Sequence, residues 1–405
     1  MTVDVEIVRR GSRAAYSGTV HARSGLGGEG SSGMRGRQSI RGSLALVLAV
    51  SLVASACTND DETGERDVEV RQPLGCDVAG CIGASVETST GALVVDETDL
   101  SFPSGLFGVE IERSYRSDRE RVGWFGRGWA TVYETTLTVN DQGGIVIDAP
   151  VGLGPIWAPE APVAWAVAGT PSITEQDDTA SLRWPTGEMW SFDREGRLAA
   201  LSSPYGATVA IVRDPSSGDV RIISSQGLAL DLSMSSTGQV TQIAASDRRS
   251  NAYEYDGDQL ISAKAASGES SYRYNSDGRM VARTTPAGTV TSIYDGGRVS
   301  EQTLPGGDRV DIEYLDNSAS RVTLDGRTGE YQHDADGRLV SRLDDGGQVL
   351  ARAYEDDRLV DETSFGGEGE VASRLERAYD DEGRLVSETV DGVRRQSHSV
   401  VEQLC

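Results

Sequence analysis

The chain has 405 residues, which is enough for two or three ordinary domains, and 48 of them are glycine. Its charge is unbalanced: 63 Asp and Glu stand against 38 Lys and Arg, and the net charge of −25 disfavours nucleic acid as a partner. The glycines follow no period of three, which excludes a collagen triple helix. Three histidines leave little material for a multi-histidine metal site.

Residues 1–56 are expected to be an extension and an export signal rather than part of the fold. Arginines without any acidic residue precede an apolar run at 44–54, which is too short for a bilayer because a spanning helix needs about 20 apolar residues. Small residues directly before Cys57 resemble a bacterial lipobox. The resemblance implies a lipid on Cys57 that anchors the exported chain to a membrane. An ordinary signal peptide with a chance cysteine is the alternative.

Residues 57–83 are predicted to form an acidic tether that contains Cys76 and Cys81. An exported protein meets an oxidising compartment, so this C-x4-C pair predicts a disulfide that closes a small loop. A zinc half-site is the alternative, but it would need a second pair of ligands that the sequence does not offer. Cys405 is expected to be a free thiol on a frayed tail, 397–405.

From about residue 190 onward one phrase returns: an aromatic residue, Asp or Asn, two residues, Gly-Arg and an aliphatic residue. FDREGRL, YNSDGRM, HDADGRL and YDDEGRL are full copies, whereas YDGDQL, YDGGRV and YEDDRL are shortened ones. Degenerate copies begin at Arg213, Met234 and Tyr314. The first residue of each copy, which we call the anchor, recurs at intervals of 19–21 residues and once of 25. The ten anchors are Phe192, Arg213, Met234, Tyr255, Tyr274, Tyr294, Tyr314, His333, Tyr354 and Tyr379.

The phrase has the composition of a turn, because Asp accepts hydrogen bonds from backbone amides and Gly adopts the left-handed conformation that closes a hairpin loop. Two short strands and two turns account for one period of about 20 residues. We therefore predict an all-β fold with almost no helix, in which residues 186–396 form a strip of antiparallel hairpins that stabilise one another. The predicted turn residues are Asp193, Gly196, Asp256, Gly278, Asp295, Gly337, Asp380 and Gly383.

Other chemistry finds little support in the sequence. The acidic turns could suggest calcium loops, but Leu343 occupies the position that supplies a bidentate glutamate in an EF-hand. His333 is interpreted as an anchor variant half-packed on the strip, and no nucleophile elbow, zinc-protease motif or P-loop occurs. We expect no catalytic site, no metal and no cofactor. The six tryptophans precede the repeats and are expected to form a core, with a sugar-binding platform as the alternative.

The repeated phrase resembles the YD repeat of Rhs and teneurin-type proteins. The segment 88–134 resembles the N-terminal domain of bacterial Rhs proteins, and the matching residues are Gly91, Asp99, Pro103, Arg113, Tyr115, Gly126, Gly128 and Trp129. The resemblance implies a cap or initiating β domain at 84–185, followed by a curved or spiral antiparallel sheet. In that family the strip forms a hollow β-shell that can enclose a C-terminal toxin.

The expected function is that of an exported, lipid-anchored, non-enzymatic scaffold or binding module on a bacterial cell surface. Its expected partners are the membrane, through the lipid on Cys57, and a carbohydrate, a surface protein or a toxin. The alternative is a truncated toxin-encapsulating shell, although the cleavage segment that ends Rhs shells has no counterpart after Leu385. A surface carbohydrate-binding protein or hydrolase is the third hypothesis.

Overall fold

The computed structural model of the protein describes residues 68–71, 76–102, 109–140, 144–150, 172–176, 179–184, 187–356, 358–381 and 384–396. All of them belong to one compact unit, Gly64–Cys405. The export signal, Cys57, Pro103, Gly383 and Cys405 lie outside the described residues, so the expectations about them stay predictions.

The residues before the repeats form short strands and two single helical turns. The long hairpin of β4 and β5 continues into β8, β9 pairs antiparallel with β10, and β1 joins β10 in parallel. The elements are β1 (Val68–Arg71), α1 (Cys76–Ala79), β2 (Cys81–Ile82), β3 (Val86–Glu87), β4 (Val94–Phe102), β5 (Val109–Arg116), β6 (Val122–Gly123), β7 (Gly126–Arg127), β8 (Trp129–Ala130), a 3-10 turn (Val132–Glu134), β9 (Thr136–Val139) and β10 (Ile145–Asp148).

A sheet of 23 strands contains the repeats, and each strand is antiparallel to its neighbours in the chain. The strands are β11 (Ser172–Gln176), β12 (Thr179–Arg183), β13 (Met189–Phe192), β14 (Leu198–Ser202), β15 (Thr208–Arg213), β16 (Val220–Ser224), β17 (Ala229–Met234), β18 (Val240–Ala245), β19 (Ser250–Asp256), β20 (Gln259–Ala265), β21 (Gly268–Tyr274), β22 (Met280–Thr285), β23 (Gly288–Asp295), β24 (Arg298–Thr303), β25 (Arg309–Tyr314), β26 (Ala319–Leu324), β27 (Arg327–His333), β28 (Leu339–Asp344), β29 (Gly347–Glu355), β30 (Arg358–Phe365), β31 (Val371–Tyr379), β32 (Leu385–Val390) and β33 (Val393–Gln396).

The order of the strands in this sheet follows their order in the chain, so the sheet is a series of hairpins without crossovers. This confirms the predicted all-β fold built from antiparallel hairpins. The first strand of this sheet that the structure describes is β11, and β12 pairs with β13 before the first anchor. Among the described residues, no helix is long and apolar enough to cross a membrane.

The repeated phrase forms the turn that its composition predicts. Asp193 Oδ1 accepts hydrogen bonds from the backbone N–H groups of Glu195 and Arg197, at 3.0 and 2.9 Å. Arg197 Nε also donates to Asp193 Oδ2 at 2.9 Å, which explains why arginine follows glycine in the phrase. The same bonds recur at Asp334. Gly278 closes its turn at a φ of +80°, a left-handed conformation that residues with a side chain adopt only at a cost.

The anchors connect each hairpin to the one before it. Eight of the ten anchors, all except Arg213 and Tyr314, lie at a β-bulge directly across from the aliphatic residue of their own phrase, as Tyr274 lies across from Met280. The anchor hydroxyl donates to the backbone carbonyl of the aliphatic residue in the preceding hairpin. Such bonds of 2.7–3.3 Å run from Tyr255 to Val240, Tyr274 to Leu260, Tyr294 to Met280, Tyr354 to Leu339 and Tyr379 to Leu359. Neighbouring hairpins therefore share their stability, as in other repeat proteins.

One face of the large sheet contacts the residues that precede the repeats, and we call it the inner face. Its core is built from residues two positions before the anchors, such as Leu232, Tyr253 and Tyr272, which are at most 5% exposed. The N-terminal residues contact this face at both early and late hairpins. At an early turn, the backbone N–H of Leu137 donates to the carbonyl of Gly196. At a later hairpin, Gly80 packs against Leu339. The N-terminal residues therefore lie along many hairpins and not only on the first one.

Candidate functional site

A group of buried charges lies where β5 meets the inner face. Arg113, on β5, is 1% exposed. Its Nε donates to Asp99 Oδ2 at 2.6 Å and its Nη2 donates to Glu97 Oε2 at 2.5 Å, and both carboxylates come from the paired strand β4. A guanidinium can be buried in this way only when other groups compensate its charge, because removing an unpaired charge from water is very costly.

The repeats provide the remaining partners of these carboxylates. The hydroxyl of Tyr253 donates to Asp99 Oδ2 at 2.8 Å, and that of Tyr272 donates to Glu97 Oε2 at 2.6 Å. Arg283 Nε donates to Glu97 Oε1 at 2.7 Å. Residues 154 to 186 positions apart in the chain thus share one hydrogen-bond network. We call this set, Glu97, Asp99, Arg113, Tyr253, Tyr272 and Arg283, the Arg113 cluster.

Aromatic rings from both sides enclose the guanidinium of Arg113. Its Cζ lies 4.5 Å from the ring centroid of Trp129, 5.6 Å from that of Tyr272, 5.8 Å from that of Tyr253 and 6.0 Å from that of Phe125. Cations are attracted to the faces of such rings, most strongly where water is excluded. The rings also pack edge to face across the contact, with 5.3 Å between Trp129 and Tyr272. Charge compensation and aromatic packing therefore both stabilise the contact between β5 and the repeats.

The electrostatics favour one protonation state of Glu97 and one of Tyr253 at neutral pH. Burial would raise the pKa of Glu97, but the charge of Arg113 and hydrogen bonds from Tyr272 and Arg283 hold that pKa below its ordinary value. Burial and the neighbouring charge of Asp99 raise the pKa of Tyr253 well above its usual range. Glu97 is therefore a charged acceptor and Tyr253 a neutral donor. The arrangement can hold the β4–β5 hairpin on the repeats.

The residues that carry the resemblance in the N-terminal segment surround this cluster. The hydroxyl of Tyr115 accepts the backbone N–H of Met280 at 2.8 Å, and Trp129 Nε1 donates to the hydroxyl of Tyr274 at 3.1 Å. The three motif glycines lie so close to their neighbours that a Cβ would not fit. A Cβ on Gly91 would lie 2.5 Å from Arg298 Cβ, and a Cβ on Gly126 would lie 2.5 Å from the carbonyl oxygen of Asp258. A Cβ on Gly128 would lie 2.6 Å from the ring of Tyr115. The structure thus places these motif residues, with Asp99 and Arg113, in the contact with the repeats or immediately beside it.

His333 is more deeply buried than the half-packed anchor that the sequence predicts, being 6% exposed. Its Nε2 lies 2.9 Å from Thr88 Oγ1, and its Nδ1 lies 3.3 Å from the carbonyl oxygen of Ser318. His333 is more buried than predicted because Thr88, which belongs to the N-terminal segment, covers it. The period of the repeats gives no information about contacts with that segment. Burial lowers the pKa of His333 below its ordinary value of 6.5. The contact of the neutral ring is therefore fully stabilising above about pH 6.5 and weakens as the pH falls below it.

The tryptophans that the structure describes lie in or against the core. Trp129, Trp184 and Trp190 are at most 2% exposed, and Trp124 is partly buried against the same core. The rings of Trp184 and Trp190 meet edge to face at 5.7 Å. These three buried rings present no open surface on which a sugar could stack. Trp157 and Trp165 lie outside the described residues.

Sequence reasoning singled out Asp99 and Arg113 and missed the other four residues of the Arg113 cluster. Tyr253 and Tyr272 precede the anchors Tyr255 and Tyr274 by two positions, and this alternation of tyrosines was a signal that both rings lie on one face of the sheet. Glu97 and Arg283 carry no comparable signal. Among the residues that the structure describes, no group of three His, Cys, Asp or Glu side chains could hold a metal ion.

Comparison with protein families identifies the repeated phrase. Residues 255–290 match the family model named RHS Repeat. The matched segment includes the anchors Tyr255 and Tyr274, so the interpretation of the phrase is confirmed there. Residues 83–152, which include Glu97, Asp99 and Arg113, match the domain of unknown function DUF6531. The Arg113 cluster therefore joins the DUF6531 segment to the RHS repeat. No curated protein matches the chain significantly.

Solved structures show only weak similarity. The TcdB2-TccC3 crystal structure without its hypervariable C-terminal region is 12% identical, with a TM-score of 0.33 over 74% of this chain and 21% of that one. The Tc holotoxin pore of Photorhabdus luminescens is 11% identical, with a TM-score of 0.32 over 74% and 21%. A porin-like protein from Bacteroides uniformis is 10% identical, with a TM-score of 0.18 over 55% and 92%. The aligned part of the chain thus spans about a fifth of the length of the two toxin chains.

Proposed function

We propose that the chain is an exported, lipid-anchored RHS-repeat protein that acts as a non-enzymatic scaffold or binding module on a bacterial surface. The Arg113 cluster carries this proposal. Its carboxylates, on Glu97 and Asp99, have side chains that are only 11% and 7% exposed, and they bond to groups of the cluster itself. These carboxylates form hydrogen bonds that hold the DUF6531 segment on the repeats, and they are not free to act on a substrate. A long sheet held in this way can present its outer face and turns to a partner.

Export is the second part of the proposal. Cys76 and Cys81 form a disulfide, as their spacing predicts, and disulfides of this kind persist in oxidising compartments outside the cytosol. The apolar run and the lipobox-like residues before Cys57 support the same route. We expect the membrane, through the lipid on Cys57, and a surface protein or carbohydrate as partners, since the charge of −25 opposes nucleic acid.

The anchor is tested by Cys57→Ser, with Cys405→Ser as the matched control. We expect the wild-type chain and the Cys405→Ser variant to sediment with membranes, because the lipid is attached at Cys57. The Cys57→Ser variant should be released into the medium or accumulate unprocessed. Fractionation followed by immunoblotting measures this. A Cys57→Ser chain that stays in the membrane fraction with the mobility of the mature protein would contradict the anchor.

Carboxyl labelling of the native chain with a water-soluble carbodiimide and an amine tests whether the Arg113 cluster excludes solvent. Glu97 and Asp99 should stay unlabelled, because their side chains are only 11% and 7% exposed and are bonded to groups of the cluster. Glu313 and Asp118, whose side chains are 64% and 47% exposed, should label readily and serve as controls. Peptide mass spectrometry reads the result. Labelling of Glu97 or Asp99 at the rate of the controls would mean that the cluster opens to solvent, and the proposal of a non-enzymatic scaffold would lose its basis.

A further inference from the structure

Residues 76–85, which we call the strap, lie across the inner face at its later hairpins. Gly80 packs against Leu339, since a Cβ on that glycine would lie 3.1 Å from Leu339 Cδ2. The backbone N–H of Ala84 donates to Gln302 Oε1 at 2.8 Å. A Cβ on Gly83 would lie 2.5 Å from the same oxygen. The strap therefore covers a glutamine amide and apolar surface that the repeats supply.

The strap has little secondary structure to stabilise it. It contains a helix of four residues, Cys76–Ala79, and the two-residue strand β2. Three of its residues have left-handed backbones, with φ of +72° at Gly80, +58° at Gly83 and +65° at Ser85. Helical segments this short are not stable alone in water, and segments of this kind open locally before the rest of a protein.

The disulfide between Cys76 and Cys81 closes the strap into a compact loop. Both cysteines are only half-buried, so a reductant can reach them from solvent. On its C-terminal side the strap ends at a strong attachment: Glu87 is 2% exposed, and Arg116 Nη2 donates to its Oε2 at 2.8 Å. An opening of the strap would therefore stop at Glu87 and leave the Arg113 cluster in place.

The surface beneath the strap is buried as long as the strap covers it. Gln302 is 0% exposed, Val310 1% and Leu339 4%. The amide of Gln302 donates from Nε2 to Ser292 Oγ at 3.1 Å, which leaves Oε1 aimed at the strap. Loss of the strap would leave this buried acceptor without the N–H of Ala84. Such an acceptor needs a new donor, and a polypeptide backbone or water can supply one.

We propose that the Cys76–Cys81 disulfide is a redox-sensitive latch of the strap. A dithiol reductant donates two electrons and two protons: its own sulfurs join in a disulfide, while the bond between Cys76 and Cys81 breaks and each sulfur becomes a thiol. The freed loop gains conformational freedom and leaves the inner face. Gln302, Val310 and Leu339 then become accessible, whereas the part of the DUF6531 segment from Glu87 onward stays attached through Glu87 and Arg113.

Hydrogen exchange of the full chain with and without dithiothreitol tests this proposal, in a Cys57→Ser, Cys405→Ser background that leaves no other thiol for reshuffling. Reduction, verified by counting free thiols, should speed exchange at least about tenfold in peptides covering 76–85 and 299–312. Peptides covering 97–116 and 253–283 should stay unchanged. The double variant Cys76→Ser, Cys81→Ser should reproduce the reduced pattern without reductant. If that variant fails to fold, reduction of the folded wild type decides.

Two results would overturn the latch. Exchange in 76–85 that is unchanged after complete reduction would mean that the strap does not depend on the disulfide. Equal acceleration in 76–85 and in 253–283 would mean that reduction loosens the whole fold and does not release a separate strap.

Discussion

Replacing Arg113 with methionine is expected to lower the free energy of unfolding by about 3–5 kcal/mol, the usual cost of removing one partner from a buried ion pair. Methionine keeps much of the volume, so the effect reports the loss of charge. Glu97 and Asp99 would then remain buried without the guanidinium to which both are bonded. Chemical denaturation followed by tryptophan fluorescence measures the change.

The matched control for this substitution is Arg309→Met. Arg309 also bonds two carboxylates, at 2.9 Å to Glu301 and 2.7 Å to Asp311, but its side chain is 60% exposed. Exposed ion pairs contribute about 0–1 kcal/mol, so this variant should be close to wild type. A second comparison separates charge from packing. The triple variant Glu97→Gln, Asp99→Asn, Arg113→Met should recover part of the loss, because the two buried carboxylates are gone and the charge left on Arg283 is on a side chain that is 30% exposed. Equal stabilities for Arg113→Met and Arg309→Met would contradict the role of the cluster.

Gly196→Ala is expected to destabilise the chain by about 2–5 kcal/mol, compared with about 1–2 kcal/mol for Gly238→Ala. Both glycines close the same kind of turn, with φ of +72° and +81°, so both variants pay the cost of a left-handed alanine. They differ in their surroundings. A Cβ on Gly196 would lie 2.1 Å from the carbonyl oxygen of Leu137, whereas nothing lies within 4 Å of one on Gly238.

The difference between these two variants reports the contact of β9 with the first turn of the repeats. Thermal unfolding of both, beside the wild type, measures it. Equal losses would show that Leu137 does not rest on the turn at Gly196. A negligible loss for Gly238→Ala would show that this glycine does not need its left-handed conformation, and the interpretation of the phrase as a turn would fail.

The repeating part of the fold was predictable because its signals are local. Asp193 and Gly196 stand three positions apart, and the bonds that make them a turn lie within five residues. A period of about 20 residues then follows from the lengths of two strands and two turns. The role of the anchor hydroxyls was not predicted, since the bond from Tyr274 to Leu260 joins two different copies and no single copy contains it. The arginine of the phrase was not assigned a role either, although its bond to Asp193 lies within one copy.

The site was predictable only in part, because its bonds join distant residues. Asp99, Arg113 and Trp129 were singled out by resemblance, but their partners Tyr253 and Tyr272 lie more than 140 positions away. No local pattern pairs β5 with β21. The burial of His333 was misjudged for the same reason, since the group that covers it, Thr88, is 245 positions away. An arginine inside an otherwise apolar strand pattern does indicate a buried counter-charge, but it does not say which residue supplies it.

The Arg113 cluster holds the DUF6531 segment on the inner face of the large sheet. A double-mutant cycle between Asp99→Asn and Tyr253→Phe tests this attachment most directly. These residues are 154 positions apart and meet at 2.8 Å between the tyrosine hydroxyl and Oδ2. Unfolding free energies of the wild type, both single variants and the double variant should give a coupling energy of about 0.5–3 kcal/mol, as expected for residues in one hydrogen-bond network. Additivity of the two substitutions within about 0.3 kcal/mol, as for sites without contact, would contradict the claim.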